Sequence, residues 1–124
     1  MKKRSEELLA LRPIIFLEEE TSKPMEKFQN QVLRPILKYQ HELWILEVKQ
    51  SLFFIQIKAK RLKGFEYREA IKSVIAKTSD LKNRYIGIVT GLFTADEYSF
   101  YLENKSEINK RIVQMVTERI VSIG

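Results

Sequence analysis

One band of polar side chains in this 124-residue sequence has the residue types and the spacing for ligand chemistry. Arg34, Lys38 and His41 stand at i, i+4 and i+7, which puts them on one face of a helix. Gln29 and Asn30 precede Arg34 by about a turn. Joined by Arg12 and Glu20 from the preceding segment, these residues would line a polar pocket for an anion. They would serve equally as one wall of a salt-bridge network fixing the N-terminal arm. A second group, Lys58, Lys60, Arg61 and Lys63, packs four cations into six positions. It reads as a patch for phosphate or an acidic partner, or as cations at a helix C-terminus, where the dipole favours them.

Other chemistry is poorly provided for. Glu18, Glu19 and Glu20 offer oxygen atoms to a hard cation, but metal loops alternate ligands with spacers, and a solvated acidic turn accounts for them. His41 is followed by Glu42, yet position 45 is Ile45, so no His-Glu-x-x-His zinc motif forms. With one histidine and no cysteine, the chain alone cannot build a thiolate zinc site, an iron–sulfur cluster, a disulfide or a multi-histidine hydrolase centre. No catalytic residue, metal site or cofactor is therefore assigned. Gly87 and Gly91, four apart, would let a neighbouring helix approach closely. Trp44, Tyr67, Tyr85, Tyr98 and Tyr101 suit core or interface anchors better than base-stacking platforms.

Helices are the elements that must position these residues. Leu, Ile, Val and Phe make up 41 of the 124 positions and Pro plus Gly only seven, a balance that excludes disorder for most of the chain. The net charge is +6, and residues 25–63 alone carry +5, a positive field that draws nucleic acid or acidic partners without specificity. The longest wholly apolar runs are four residues, against about 20 for a membrane span. Lys2, Lys3 and Arg4 are followed at once by Glu6 and Glu7, which breaks a signal-peptide pattern. A cytoplasmic protein is expected.

Along the chain, residues 1–11 suit a short helix with Ser5 as N-cap, ended by Arg12 before Pro13. Pro13 to Leu17 reads as an extended apolar segment. Thr21 or Ser22 can cap the next helix, with Pro24 in its first turn. From there one apolar row runs through Phe28, Val32, Tyr39, Leu43, Leu46, Phe53 and Ile57. A second runs through Leu33, Leu37, Trp44, Val48, Phe54 and Ile55. This pattern predicts one long central helix over 24–62, kinked at Pro35 and closed by Lys63-Gly64. Unbroken it would span about 58 Å, far more than the ~14 Å radius of gyration of a domain this size, so it must bend or meet a second subunit. Leu52–Ile57, rich in β-formers, is where helix could give way to strand. Further helices are expected over 65–77, with Phe65, Ile71, Val74 and Ile75 inward, and over about 80–92, capped from Thr78, Ser79 or Asp80. Thr94 and Glu97 have capping-box spacing, and a last helix starts near Asn104. The string Leu11-Arg-Pro-Ile-Ile15 recurs as Leu33-Arg-Pro-Ile-Leu37.

The stretch from Leu11-Arg-Pro-Ile-Ile-Phe-Leu-Glu18 to Phe28-Gln-Asn-Gln-Val-Leu-Arg-Pro-Ile-Leu-Lys38, with Gly91-Leu-Phe-Thr-Ala-Asp-Glu-Tyr98 and Asn109-Lys-Arg-Ile112, resembles a family of short, uncharacterised bacterial proteins. Some members carry the label glyoxalase. Metal-dependent glyoxalases hold their cation through His and Glu on a βαβββ scaffold, or through several histidines on a hydrolase scaffold. This chain has one histidine and few strand signals, so no catalytic residue is carried over.

The expectation is an all-α bundle of about five helices in a single domain, 1–124, with residues 1–22 as an arm packed on the bundle. The expected function is a small helical interaction or regulatory module that self-associates as a homodimer through the two-sided central helix. A basic nucleic-acid-associated protein is the alternative. An enzyme acting at the Arg34/Lys38/His41 band, with Glu20 or Glu42 as base, is the second.

Overall fold

The structure, a computed structural model, describes residues 1–14 and 23–124. Among these residues the regular structure is helical throughout: α1 (Lys2–Leu11), α2 (Pro24–Phe28), a π turn (Gln29–Leu33), α3 (Arg34–Tyr39), α4 (His41–Gln50), α5 (Leu52–Ala59), α6 (Phe65–Lys77), α7 (Ser79–Thr90), α8 (Ala95–Glu103) and α9 (Lys105–Ile123). The backbone stays right-handed helical from α2 through the π turn into α3. The described residues thus form eight separate helices, not about five. The Thr21 and Ser22 caps and the Ile15–Leu17 part of the extended segment lie outside the described residues.

The single long helix expected over 24–62 is three. Breaks fall at Gln40 (φ −87°, ψ 12°) and Ser51 (φ −71°, ψ 129°), not at Pro35. A proline lacks the N–H and crowds the carbonyl four residues back. Here the helix widens just before it, and the Arg34 amide reaches back five residues to the Gln29 carbonyl. Pro35 then sits in the first turn of α3, where a missing donor is harmless. Leu52–Ile57 is helical, because Phe54 and Ile57 point into the core and repeat at helical spacing. Gly64 does not close this helix. The left-handed residue after α5 is Arg61 (φ 53°), while Gly64 (φ 56°, ψ −126°) initiates α6 in a conformation only glycine adopts freely.

The second apolar row is buried except at Ile55, while the first is split: Phe28, Val32 and Ile57 are buried, but Tyr39, Leu43, Leu46 and Phe53 between them are exposed. Trp44 anchors the buried row: its Nε1 donates to the Leu37 carbonyl at 3.0 Å, and its ring meets Tyr85 edge-on at 5.7 Å. Helix α9 closes the core. It packs against α4, α6 and α7 and contributes Ile108, Ile112, Val116 and Ile120, all fully buried. From α6, Ile71 and Ile75 face inward, but Phe65 is 75% exposed; it lies in the first turn, before the helix reaches the core. Gly87 and Gly91 do not mark a close helix approach. A Cβ at Gly87 would meet nothing within 4 Å, and one at Gly91 would meet only the Gly87 carbonyl.

The α7–α8 junction carries the expected capping box. Glu97 N–H donates to Thr94 Oγ1, and Thr94 N–H donates to Glu97 Oε1 at 2.9 Å. Helix α1 is attached there. It starts at Lys2, so Ser5 is not its cap, and it buries none of its residues. Polar contacts hold it instead. Arg4 donates to the carbonyls of Phe93 (2.8 Å) and Gly91 (3.2 Å). Arg12, extended as expected before Pro13, forks onto both Glu97 oxygens at 2.5 and 2.6 Å and onto the Leu92 carbonyl at 3.2 Å.

Candidate functional site

The π turn builds one wall of a polar cleft. A helix with one widened turn re-aims the side chains on either side of it, and such turns are common at functional sites. Here Gln29, the first residue of the turn, accepts from Arg111 Nη1 of α9 at 2.8 Å. Asn30 accepts from Arg34 Nε at 2.9 Å. Between them and α9 lies a cleft of about 560 Å³ walled by Gln29, Arg34 and His41 on one side and Arg111 and Arg119 on the other, with Leu37 and Met115 among its apolar lining.

Three guanidinium groups therefore border one cleft, and their partners differ. Arg111 is compensated by Glu107, one turn earlier on α9, at 3.1 Å. Among the described residues Arg34 has only the neutral Asn30 amide oxygen. Arg119 Nη1 lies 3.3 Å from His41 Nδ1 and has no carboxylate partner among the described residues. Burial pushes the Arg119 guanidinium down from its ordinary value, because a charge withdrawn from water without a counter-charge is disfavoured. A guanidinium only donates, so in this contact His41 Nδ1 accepts. The one carboxylate lining the cleft among the described residues, Glu118, is paired with Arg68 of α6.

The band expected from the sequence is thus partly assembled. Gln29, Arg34 and His41 line the cleft, and Asn30 supports it through Arg34. Lys38 is exposed and does not line it. Arg12 does not join it either: its fork is committed to Glu97 at the far end of the chain's capping box, because the arm docks on α8 rather than α3. Burial opposes ionisation of Glu97, but Arg12 and the Thr94 amide outweigh it and hold the carboxyl below its usual range. Glu20 lies outside the described residues. The sequence reading missed Arg111 and Arg119. Their signal was present, since positions eight apart on a helix share a face, with Met115 midway.

Two other features have the character of surfaces. Lys58, Lys60, Arg61 and Lys63 are all exposed at the end of α5 and the turn after it, with no side-chain hydrogen bond or ion pair among the described residues. The apolar residues left out of the core are Tyr39 (46% exposed), Leu43 (38%), Leu46 (46%) and Phe53 (40%), with Leu52 (63%) and Ile55 (45%) on α5. Leu43 and Leu46 border a shallow depression with Arg84 and Glu47, which pair at 2.9 Å. Glu47 also accepts from the Tyr85 hydroxyl at 2.9 Å; burial, then the Glu47 charge, pushes that phenol well above its ordinary value.

No group of three or more His, Asp or Glu that could hold a metal gathers among the described residues. No helix of the described chain is long and apolar enough to cross a membrane. Comparison with family models, curated proteins and solved structures returns no match.

Proposed function

We propose that the chain is a small helical interaction module that pairs with a second copy of itself through the apolar row of α3–α5. The observation that carries this reading is the exposure of six large apolar side chains within seventeen residues, spread over the consecutive helices α3, α4 and α5. Scattered exposed leucines need no explanation, but six large apolar side chains exposed in one short stretch do. A twofold contact needs a surface complementary to itself, and an apolar row meets that requirement directly. The charged groups at the Leu43–Leu46 depression, Glu47 and Arg84, neutralise each other, so two copies can meet there without like-charge repulsion despite a net charge of +6. A cytoplasmic setting belongs to the same proposal and is supported by the absence of cysteine.

The test is size-exclusion chromatography with light scattering at moderate salt, read at 260 and 280 nm. A dimer that Leu46→Glu and Phe53→Glu convert to a helical monomer is the expected result. A wild-type monomer at high micromolar concentration overturns the reading. A peak whose excess 260 nm absorbance is stripped by salt would instead favour nucleic-acid association through the exposed Lys58–Lys63 cluster.

A further inference from the structure

The geometry points to a binding site for a small phosphate monoester in the cleft between the π turn and α9, with Arg34, Arg111 and Arg119 as its anion-holding residues. This inference rests on the cleft alone and does not depend on self-association.

The charge count comes first. Three guanidiniums border the cleft, and two of them, Arg34 and Arg119, face no carboxylate among the described residues. The only lining carboxylate among the described residues, Glu118, is neutralised from outside by Arg68. A partly buried cation without a counter-charge lowers stability, and Arg119 bears the mark of it in its lowered pKa. An anionic ligand removes that penalty.

The donor geometry comes second. Arg34 spends Nε on Asn30, and Arg119 spends Nη1 on His41, so each keeps further N–H donors unused. Guanidinium forks match the oxygens of phosphate and carboxylate. A phosphate monoester carries close to two negative charges near neutral pH and three terminal oxygens. It thus answers the two uncompensated cations better than a single carboxylate does. His41 lines the same cleft beside Arg119. Third, the apolar Leu37 and Met115 offer contact for an organic body, and about 560 Å³ lies within the usual range of small-molecule sites.

The experiment is amide and arginine side-chain NMR on the full chain, titrated with inorganic phosphate, phenyl phosphate and benzoate. Phenyl phosphate should bind best, shifting the Arg119 Nε–H and His41 resonances. Arg119→Gln should weaken it by about tenfold or more, as loss of one charge-assisted contact does. Arg34→Gln, at an exposed position and so without risk to the fold, should weaken it by a similar factor. Lys58→Gln with Lys60→Gln should leave it unchanged. Three results would overturn the site: no saturable shift at millimolar phenyl phosphate, equal loss in the Lys58/Lys60 variant, which would mean diffuse charge attraction, or benzoate binding as tightly as phenyl phosphate.

Discussion

The tetrapeptide Leu-Arg-Pro-Ile occurs twice, at 11–14 and at 33–36, and the two copies fold differently. In the first, Arg12 is extended (φ −75°, ψ 133°) and ends α1. In the second, Arg34 is helical (φ −59°, ψ −49°) and the helix continues through Pro35. A residue before proline is pushed out of the helical region by the proline ring, so the first copy follows the local rule and the second violates it. The difference lies in what surrounds them. Leu33, Pro35, Ile36 and Leu37 are buried, while Leu11 is 48% and Ile14 86% exposed. Burial of that apolar surface outweighs a local preference, and the π turn is the distortion that reconciles the two. The arginines diverge in consequence. Arg12 is consumed by a carboxylate, and Arg34 is left with donors to spare.

Changes at matched positions sharpen this comparison, and the largest contrast is expected at the leucines. Leu33→Ala should lower unfolding stability by about 2–5 kcal/mol, the range for a fully buried leucine, and Leu11→Ala by less than about 0.5 kcal/mol. Urea denaturation measures both; equal losses would mean that α1 is part of the cooperative core. Next come the arginines. Arg12→Ala removes a paired fork from a largely buried carboxylate and should lower stability by about 1–2 kcal/mol, with faster amide exchange throughout α1. Arg34→Ala should stay within about 0.5 kcal/mol of wild type.

The arginine contrast extends to pH. Because the Glu97 carboxyl is held below its usual range in the fold, its contribution is complete above the ordinary carboxylate pKa. It is lost as pH falls through the lower folded value. Acid unfolding of Arg12→Ala should therefore show a shallower loss of stability below about pH 4.5 than wild type; parallel curves would remove Glu97 as the partner that matters. A small loss is expected at Pro13→Ala, about 0.5 kcal/mol, through greater freedom of the unfolded chain. A larger loss, with α1 released, would show that the proline also aims Arg12.

The sequence carried the helical class plainly because the apolar spacing on α6, α7 and α9 is regular and each helix has one buried side. The Thr94–Glu97 capping box was readable for a similar reason: it is local, and three residues suffice to define it. The breaks at Gln40 and Ser51 were not readable. Neither is Gly or Pro, and the apolar pattern continues across both, so only packing of α4 against α9 decides where the rod turns. The cleft was half visible. Gln29, Arg34 and His41 share a stretch of chain, but Arg111 and Arg119 arrive from seventy or more residues away, and nothing local ties them to it. Arg12 was misplaced for the same reason, since its partner Glu97 is 85 positions distant.

The placement of α9 also bears on how the chain is made. Its four fully buried isoleucine and valine side chains complete a core whose other walls, α4, α6 and α7, precede it in the sequence. A ribosome delivers those walls first and takes about 1–4 s to add the residues of α9. Through that interval the nascent chain presents apolar helix faces with nothing to cover them, which is the state that holding chaperones recognise. A ribosomal stall before residue 105 would make a sticky fragment rather than a shorter version of the same protein.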